Sequence, residues 1–219
     1  MDNPDHPVAV VEAFVLRCLE RTDVVYVGID PGVGGAIAFV CGPHYRVLDM
    51  PAYKVGRVYQ RKIKKEDLIP GGPKTRTIHG ETSYFDLPMI VAVFKALKAV
   101  RQRVCVCVEI AQPMIKGKGS ANIRTAHLVG VGFGMWPLFL QSKNYGYGRE
   151  EVDPSDWKKA MGLLGKDKNA SRKKAQALFP KAPLARKEDH GRAEALLLAE
   201  YARRKRGTKQ AQQAQEYRH

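Results

Sequence analysis

The chain has 219 residues, enough for one domain with a substantial buried core. Its 37 Lys and Arg outweigh 22 Asp and Glu to give a formal charge of +15, which points to a polyanionic partner and first of all to nucleic acid. An apolar run of about 18 residues is missing, which argues against a membrane span, and Cys18, Cys41, Cys105 and Cys107 have neither zinc nor redox spacing.

Residues 1–30 hold six acids and only two basic residues, so the remainder is more basic than the average implies. Apolar positions at helical spacing predict an N-terminal helix over 8–20, within an extension spanning 1–22. Val24 to Ile29 is rich in β-branched residues and reads as a buried strand ending at Asp30. Pro31 and Gly32 turn the chain into a return strand over 35–40, and a third strand follows over 44–50.

Residues 51–85 form a basic insertion in which Lys54, Arg57, Arg61, Lys62, Lys64 and Lys65 alternate with Tyr53, Val58, Tyr59 and Ile63. This pattern fits a hairpin lying along phosphates with an aromatic ring to stack, and it also fits a solvated loop. Asp86 and Pro88 are suited to start a helix that runs to about 100. A buried strand over 104–110 carries Glu109 near its end, and Cys105 and Cys107 read as small apolar residues within it. Lys116, Lys118 and Arg124 then make a second candidate DNA-binding surface, where Gly117 and Gly119 permit close backbone approach. A helix over 122–140, a short strand over 149–152 and helices over 154–163 and 168–179 follow. The last helix, over 191–206, ends in four basic residues, and the polar segment 207–219 is expected to be disordered. Strands and helices in this order predict a single α/β domain.

Two carboxylates at the ends of buried strands need a cationic partner, because an unpaired buried carboxylate costs several kcal/mol or stays protonated. Asp30 is also suited to the blander task of capping its own turn. His190 and Glu194 stand four apart at the start of the last helix and share one face. Together Asp30, Glu109, His190 and Glu194 make a mostly oxygen donor set of the kind that hard divalent cations such as Mg²⁺ or Mn²⁺ take.

The ordered motifs GIDPGVGGAIA (28–38), VCVEIAQP (106–113) and KEDHGRAEALLLAEY (187–201) resemble the RuvC-type Holliday junction resolvases, most nearly their plant and algal chloroplast branch. The similarity spans residues 24–202 and takes in Asp153-Pro154-Ser155-Asp156-Trp157-Lys158 and Gly165-Lys166-Asp167-Lys168. It implies an RNase H-like domain over 23–206, with a mixed β-sheet flanked by α-helices. It also implies a homodimeric, Mg²⁺-dependent endonuclease that resolves four-way DNA junctions by paired symmetric nicks, in which Mn²⁺ would substitute for Mg²⁺. The helix over 122–140 would line the dimer interface. By the same resemblance the setting is chloroplast nucleoid segregation and DNA recombination.

Asp30, Glu109, His190 and Glu194 are the implied metal ligands. Lys158 would contact phosphate, and Lys168 would stabilise developing charge. Lys62, Lys64 and Lys65 join Lys116, Lys118 and Arg124 as candidate DNA contacts. The bacterial enzymes usually end the last motif in two aspartates three residues apart; here the earlier of those positions is Gly191, which leaves Asp189 and His190 competing for the fourth ligand. A catalytically silent junction-binding protein and an RNA–DNA hybrid nuclease remain the alternative readings.

Overall fold

The computed structural model describes residues 5–67, 69–110, 123–142 and 148–216. Its main sheet has five strands in the order β3-β2-β1-β6-β7, formed by β1 (Val25–Asp30), β2 (Ala36–Cys41), β3 (His44–Asp49), β6 (Val104–Glu109) and β7 (Arg149–Val152). β1 runs antiparallel to β2, as β2 does to β3, whereas β6 is parallel to both β1 and β7. Among the described residues, β4 (Ala52–Lys62) and β5 (Thr75–Phe85) pair only with each other, as a separate two-stranded arm.

The alternation of side chains along a strand divides the molecule into two cores. Val25, Val27 and Ile29 of β1, with Val104, Val106 and Val108 of β6, face one layer of helices. That layer contains α1 (Pro7–Leu19), α2 (Leu87–Lys95) and α3 (Ile123–Gln141). Tyr26, Cys105 and Cys107 face the other layer, made of α4 (Pro154–Ala160), α5 (Lys168–Leu178) and α6 (His190–Glu216). The result is a mixed sheet between two layers of helices. All four cysteines are buried and free, as small apolar core residues should be.

α6 lies very close to the sheet because small residues meet there. A methyl group on Gly28 would run into the backbone of Ala195 and Ala199, so glycine is what lets the helix sit down on β1. Ala36 and Ala38 of β2 and Ala193 and Ala195 of α6 are fully buried in the same layer.

Three boundaries differ from the sequence expectation. The helix capped by Asp86, whose carboxylate accepts from the Met89 amide at 3.0 Å, gives way after Lys95 to 3-10 turns over Ala96–Arg103. α4 stops at Ala160, ahead of Gly162, whose φ of +66° an ordinary residue resists. Residues 207–216, expected as a disordered tail, continue α6, and the run of Lys, Gln and Ala there has high helix propensity. No helix among the described residues is long and apolar enough to cross a membrane.

Candidate metal centre

β1 and β6 are neighbouring parallel strands with Ile29 level with Val108, so their last residues, Asp30 and Glu109, finish side by side. Strand periodicity gives Asp30 the orientation of Gly28 and gives Glu109 that of Cys107, which is the side covered by α6. Glu194 is in the first turns of that helix. Strand ends and a helix start thus deliver three carboxylates to one edge of the sheet, at the carboxyl ends of parallel strands where α/β proteins place their ligands.

The turn after β1 is built around Asp30. The Gly32 amide donates to its carboxylate, and a methyl group on Gly35 would strike the Asp30 backbone. α6 approaches from the other side. A methyl group on Gly191 would stand 2.8 Å from the Gly34 carbonyl oxygen and 3.2 Å from Asp30 Oδ2. Position 191 therefore faces Asp30 directly, with no room for a side chain.

Like charges and burial act together on these acids. Burial, then the Glu194 and Glu109 carboxylates, push the Asp30 pKa up from 3.8 to about 7, against the Gly32 amide and Lys158. Burial also raises Glu109, opposed by the Trp157 indole and by Lys158. The indole Nε1 donates to Glu109 Oε2 at 2.6 Å, a charge-assisted bond from a fully buried ring. Lys158 follows immediately on α4; its Nζ lies 3.6 Å from Glu194 Oε1 and 5.1 Å from the centre of the Trp157 ring. Asp153 starts this helix by accepting from the Ser155 amide at 2.8 Å, with Pro154 in the first turn. A single capped helix thus supplies both an indole and an ammonium to the acidic group.

Lys158, expected on a phosphate, is paired with Glu194. His190 opens α6 half-buried, with Nδ1 3.4 Å from the Lys187 carbonyl oxygen; no hydrogen bond or ion pair links it to the three carboxylates. Asp189 is buried and committed elsewhere: it accepts from the Arg186 amide at 2.7 Å and from its guanidinium at 2.8 and 3.1 Å. The arginines that pair with it, Arg186 and Arg192, hold its pKa below the usual aspartate value against the opposing effect of burial. Arg192 also grips Asp49 through two bonds of 2.5 and 2.6 Å, tying the start of α6 to the end of β3.

Lys116 and Lys118 lie outside the described residues, as do the side chains of Lys65, Arg124 and Lys168. Lys62 ends β4, and Lys64 follows beside Glu66 at 3.6 Å. Trp157 and Arg192 are the members of this neighbourhood that sequence reasoning gave no role. Trp157 meets a residue 48 positions away and Arg192 one 143 positions away, beyond any local pattern.

Chemically the donors suit a hard divalent cation: three carboxylates, one of them raised by burial and by the other two. Among the described residues no three acidic, histidine or cysteine side chains yet converge closely enough to hold an ion. Comparison with protein-family models and with curated proteins finds no match to this chain.

Proposed function

We propose that the chain is a metal-dependent, structure-selective endonuclease with an RNase H-like scaffold that resolves four-way DNA junctions as a homodimer. The observation that carries this reading is the placing of Asp30, Glu109 and Glu194 on one side of the sheet, at the ends of two parallel strands and the start of α6, near enough for the other two to act on the Asp30 charge. The mixed sheet between helices and the charge of +15 agree with it, as does the motif resemblance.

On this reading the three carboxylates hold Mg²⁺ or Mn²⁺, with His190 as the fourth ligand. Divalent ions bound there supply activated water and stabilise the leaving oxygen. The chain's own residues do the rest. The Trp157 indole fixes the Glu109 carboxylate, and the Gly32 amide fixes that of Asp30. Lys158 balances Glu194 until DNA brings phosphate for it to contact. Lys168 stabilises developing charge, and Lys64, Lys65, Lys116, Lys118 and Arg124 hold the DNA backbone. Two protomers are needed because resolving a junction takes two symmetric nicks.

The test is incubation with a mobile four-way junction, a matched duplex and an RNA–DNA hybrid, with and without Mg²⁺. Paired symmetric nicks in the junction alone are the expected result. Cleavage confined to the hybrid, or tight junction binding without cleavage, replaces this reading with one of the two alternatives.

A further inference from the structure

The arm made by β4 and β5 has two chemically different faces, sorted by its pairing register. Tyr53 faces Tyr84 across the arm, Arg57 faces Gly80, and Arg61 faces Arg76. Residues directly opposite in an antiparallel pair project to the same side, and every second pair shares that side. One face therefore gathers Tyr53, Arg57, Arg61, Arg76 and Tyr84, and it has no carboxylate. The other presents Lys54, Gln60 and Lys62, and there the chain does supply partners: Lys54 pairs with Glu81 at 2.9 Å and Gln60 donates to Thr77 at 2.9 Å.

On the first face the Tyr53 and Tyr84 rings stack with centroids 5.8 Å apart and planes 26° from parallel. The Arg57 guanidinium lies 5.7 Å from the centre of the Tyr84 ring and donates to its hydroxyl. Tyr53 remains half exposed, at 52 %. Nearer the tip, Arg61 and Arg76 are exposed and directly opposed, with no ion-pair partner among the described residues. Like charges directly opposite destabilise a strand pair. A two-stranded arm, marginal by itself, tolerates that repulsion at some loss of stability unless an anion joins the pair.

We propose that this tyrosine–arginine face is a nucleic-acid platform, with Arg61 and Arg76 on the phosphate backbone and the Tyr53–Tyr84–Arg57 stack against an unstacked base. Stacked aromatic rings beside unpaired arginines are the combination that binds single-stranded or splayed nucleotides. Charge argues against a second copy of the chain as the occupant, since a self-complementary contact would set these arginines against themselves. The register also moves the contact away from Lys62, which is on the opposite face. The inference rests on the junction-nuclease reading only for the form of DNA that supplies the splayed base.

The experiment is fluorescence anisotropy of the full chain with a labelled single strand, a four-way junction and a duplex, over a salt series in EDTA. Two charge-matched double variants are compared, Arg61→Gln with Arg76→Gln and Lys54→Gln with Lys95→Gln, Lys95 being an exposed residue at the end of α2. The arginine pair should lose about tenfold or more in affinity and lower the salt slope for two lost contacts by roughly 1.4 on the single strand, or roughly 1.8 where the contacts are to duplex arms. The lysine pair should change affinity less than about threefold. Tyr84→Leu should weaken the single strand and the junction about tenfold and leave the duplex nearly unchanged. Arg61→Glu, which forms an ion pair with Arg76, keeps the arm paired while removing the anion site, and should match the loss seen in the arginine pair. Equal losses in the two double variants, or no loss in the arginine pair, overturn the proposal. Because EDTA suppresses metal-dependent cleavage, a protein that cuts nothing gives the same binding result, so the two readings fail separately.

Discussion

The acidic edge of the sheet and the basic arm each concentrate charge of one sign, under opposite physical conditions. Two unit charges 4 Å apart interact by about 1 kcal/mol in bulk water and by about 4 kcal/mol at the effective dielectric of a protein surface. Arg61 and Arg76 stand in water, where their mutual repulsion is small and a thin arm withstands it. Asp30, Glu109 and Glu194 are partly covered by α6, and there burial and the mutual repulsion are strong enough to bring the Asp30 pKa to about 7. The arm is therefore suited to a diffuse, exchangeable polyanion. The sheet edge, on the reading proposed above, is suited to a compact cation held by a rigid frame.

The largest expected effect tests the rigid half of that contrast. Asp30→Asn or Glu109→Gln should remove detectable nicking of a four-way junction and leave binding unchanged or tighter, because each removes charge that repels phosphate. Near-normal Mg²⁺-dependent nicking by either variant would mean that the acids are structural and the contrast fails.

A second expectation concerns stability. The folded pKa of Asp30 lies above its ordinary 3.8, so its contribution is fully present below about pH 4 and is lost as pH rises through about 7. Asp30→Asn should thus stabilise the metal-free protein at pH 8 by on the order of 2–4 kcal/mol. The gain in urea unfolding should shrink steadily toward about pH 5, and the metal-saturated parent protein should show little of this pH dependence. A flat difference across that range would show that the acidic edge is solvated like the arm.

Trp157→Phe sharpens the comparison further by keeping the ring and deleting only the donor to Glu109. Loss of a hydrogen bond to a ligating carboxylate typically reduces activity by about 10–100-fold. Because that bond favours the charged form, the acid limb of the cleavage profile should also move to higher pH. A reduced rate with an unmoved acid limb would assign the indole to packing alone. The smallest effect is expected at Asp189→Ala, which should lower stability by on the order of 1 kcal/mol through loss of the bonds that start α6. It should cost less cleavage than His190→Ala; the reverse ranking in single-turnover assays would give the ligand role to Asp189.

The halves of this contrast also differ in how they were legible. Asp30 and Glu109 were readable because each closes an apolar run whose alternation fixes which side it faces, and Glu194 because it leads into an apolar helix. The arm's basic and aromatic alternation showed a hairpin, but its sidedness depends on the register that sets Arg61 against Arg76. The pairing of Trp157 with Glu109 and of Lys158 with Glu194 joins segments that only the folded sheet brings together. Asp189 and His190 were adjacent candidates in sequence, and what separates them is the Arg186 side chain folding back on the first of the two. The extension of α6 to Glu216 is hidden in the sequence because its polarity suggests disorder, whereas its helix propensity prevails.

Gly28 fixes more than a packing distance. Since α6 rests on the bare backbone of β1 there, the gap between the strand that holds Asp30 and the helix that holds Glu194 is already at its minimum. Repacking side chains cannot shorten it, and even a methyl group would widen it along the whole helix. A lineage retaining this scaffold therefore has little freedom to retune the site by spacing. Its chemistry can diversify chiefly by exchanging which atoms project from the helix start, where position 191, opposite Asp30, carries none.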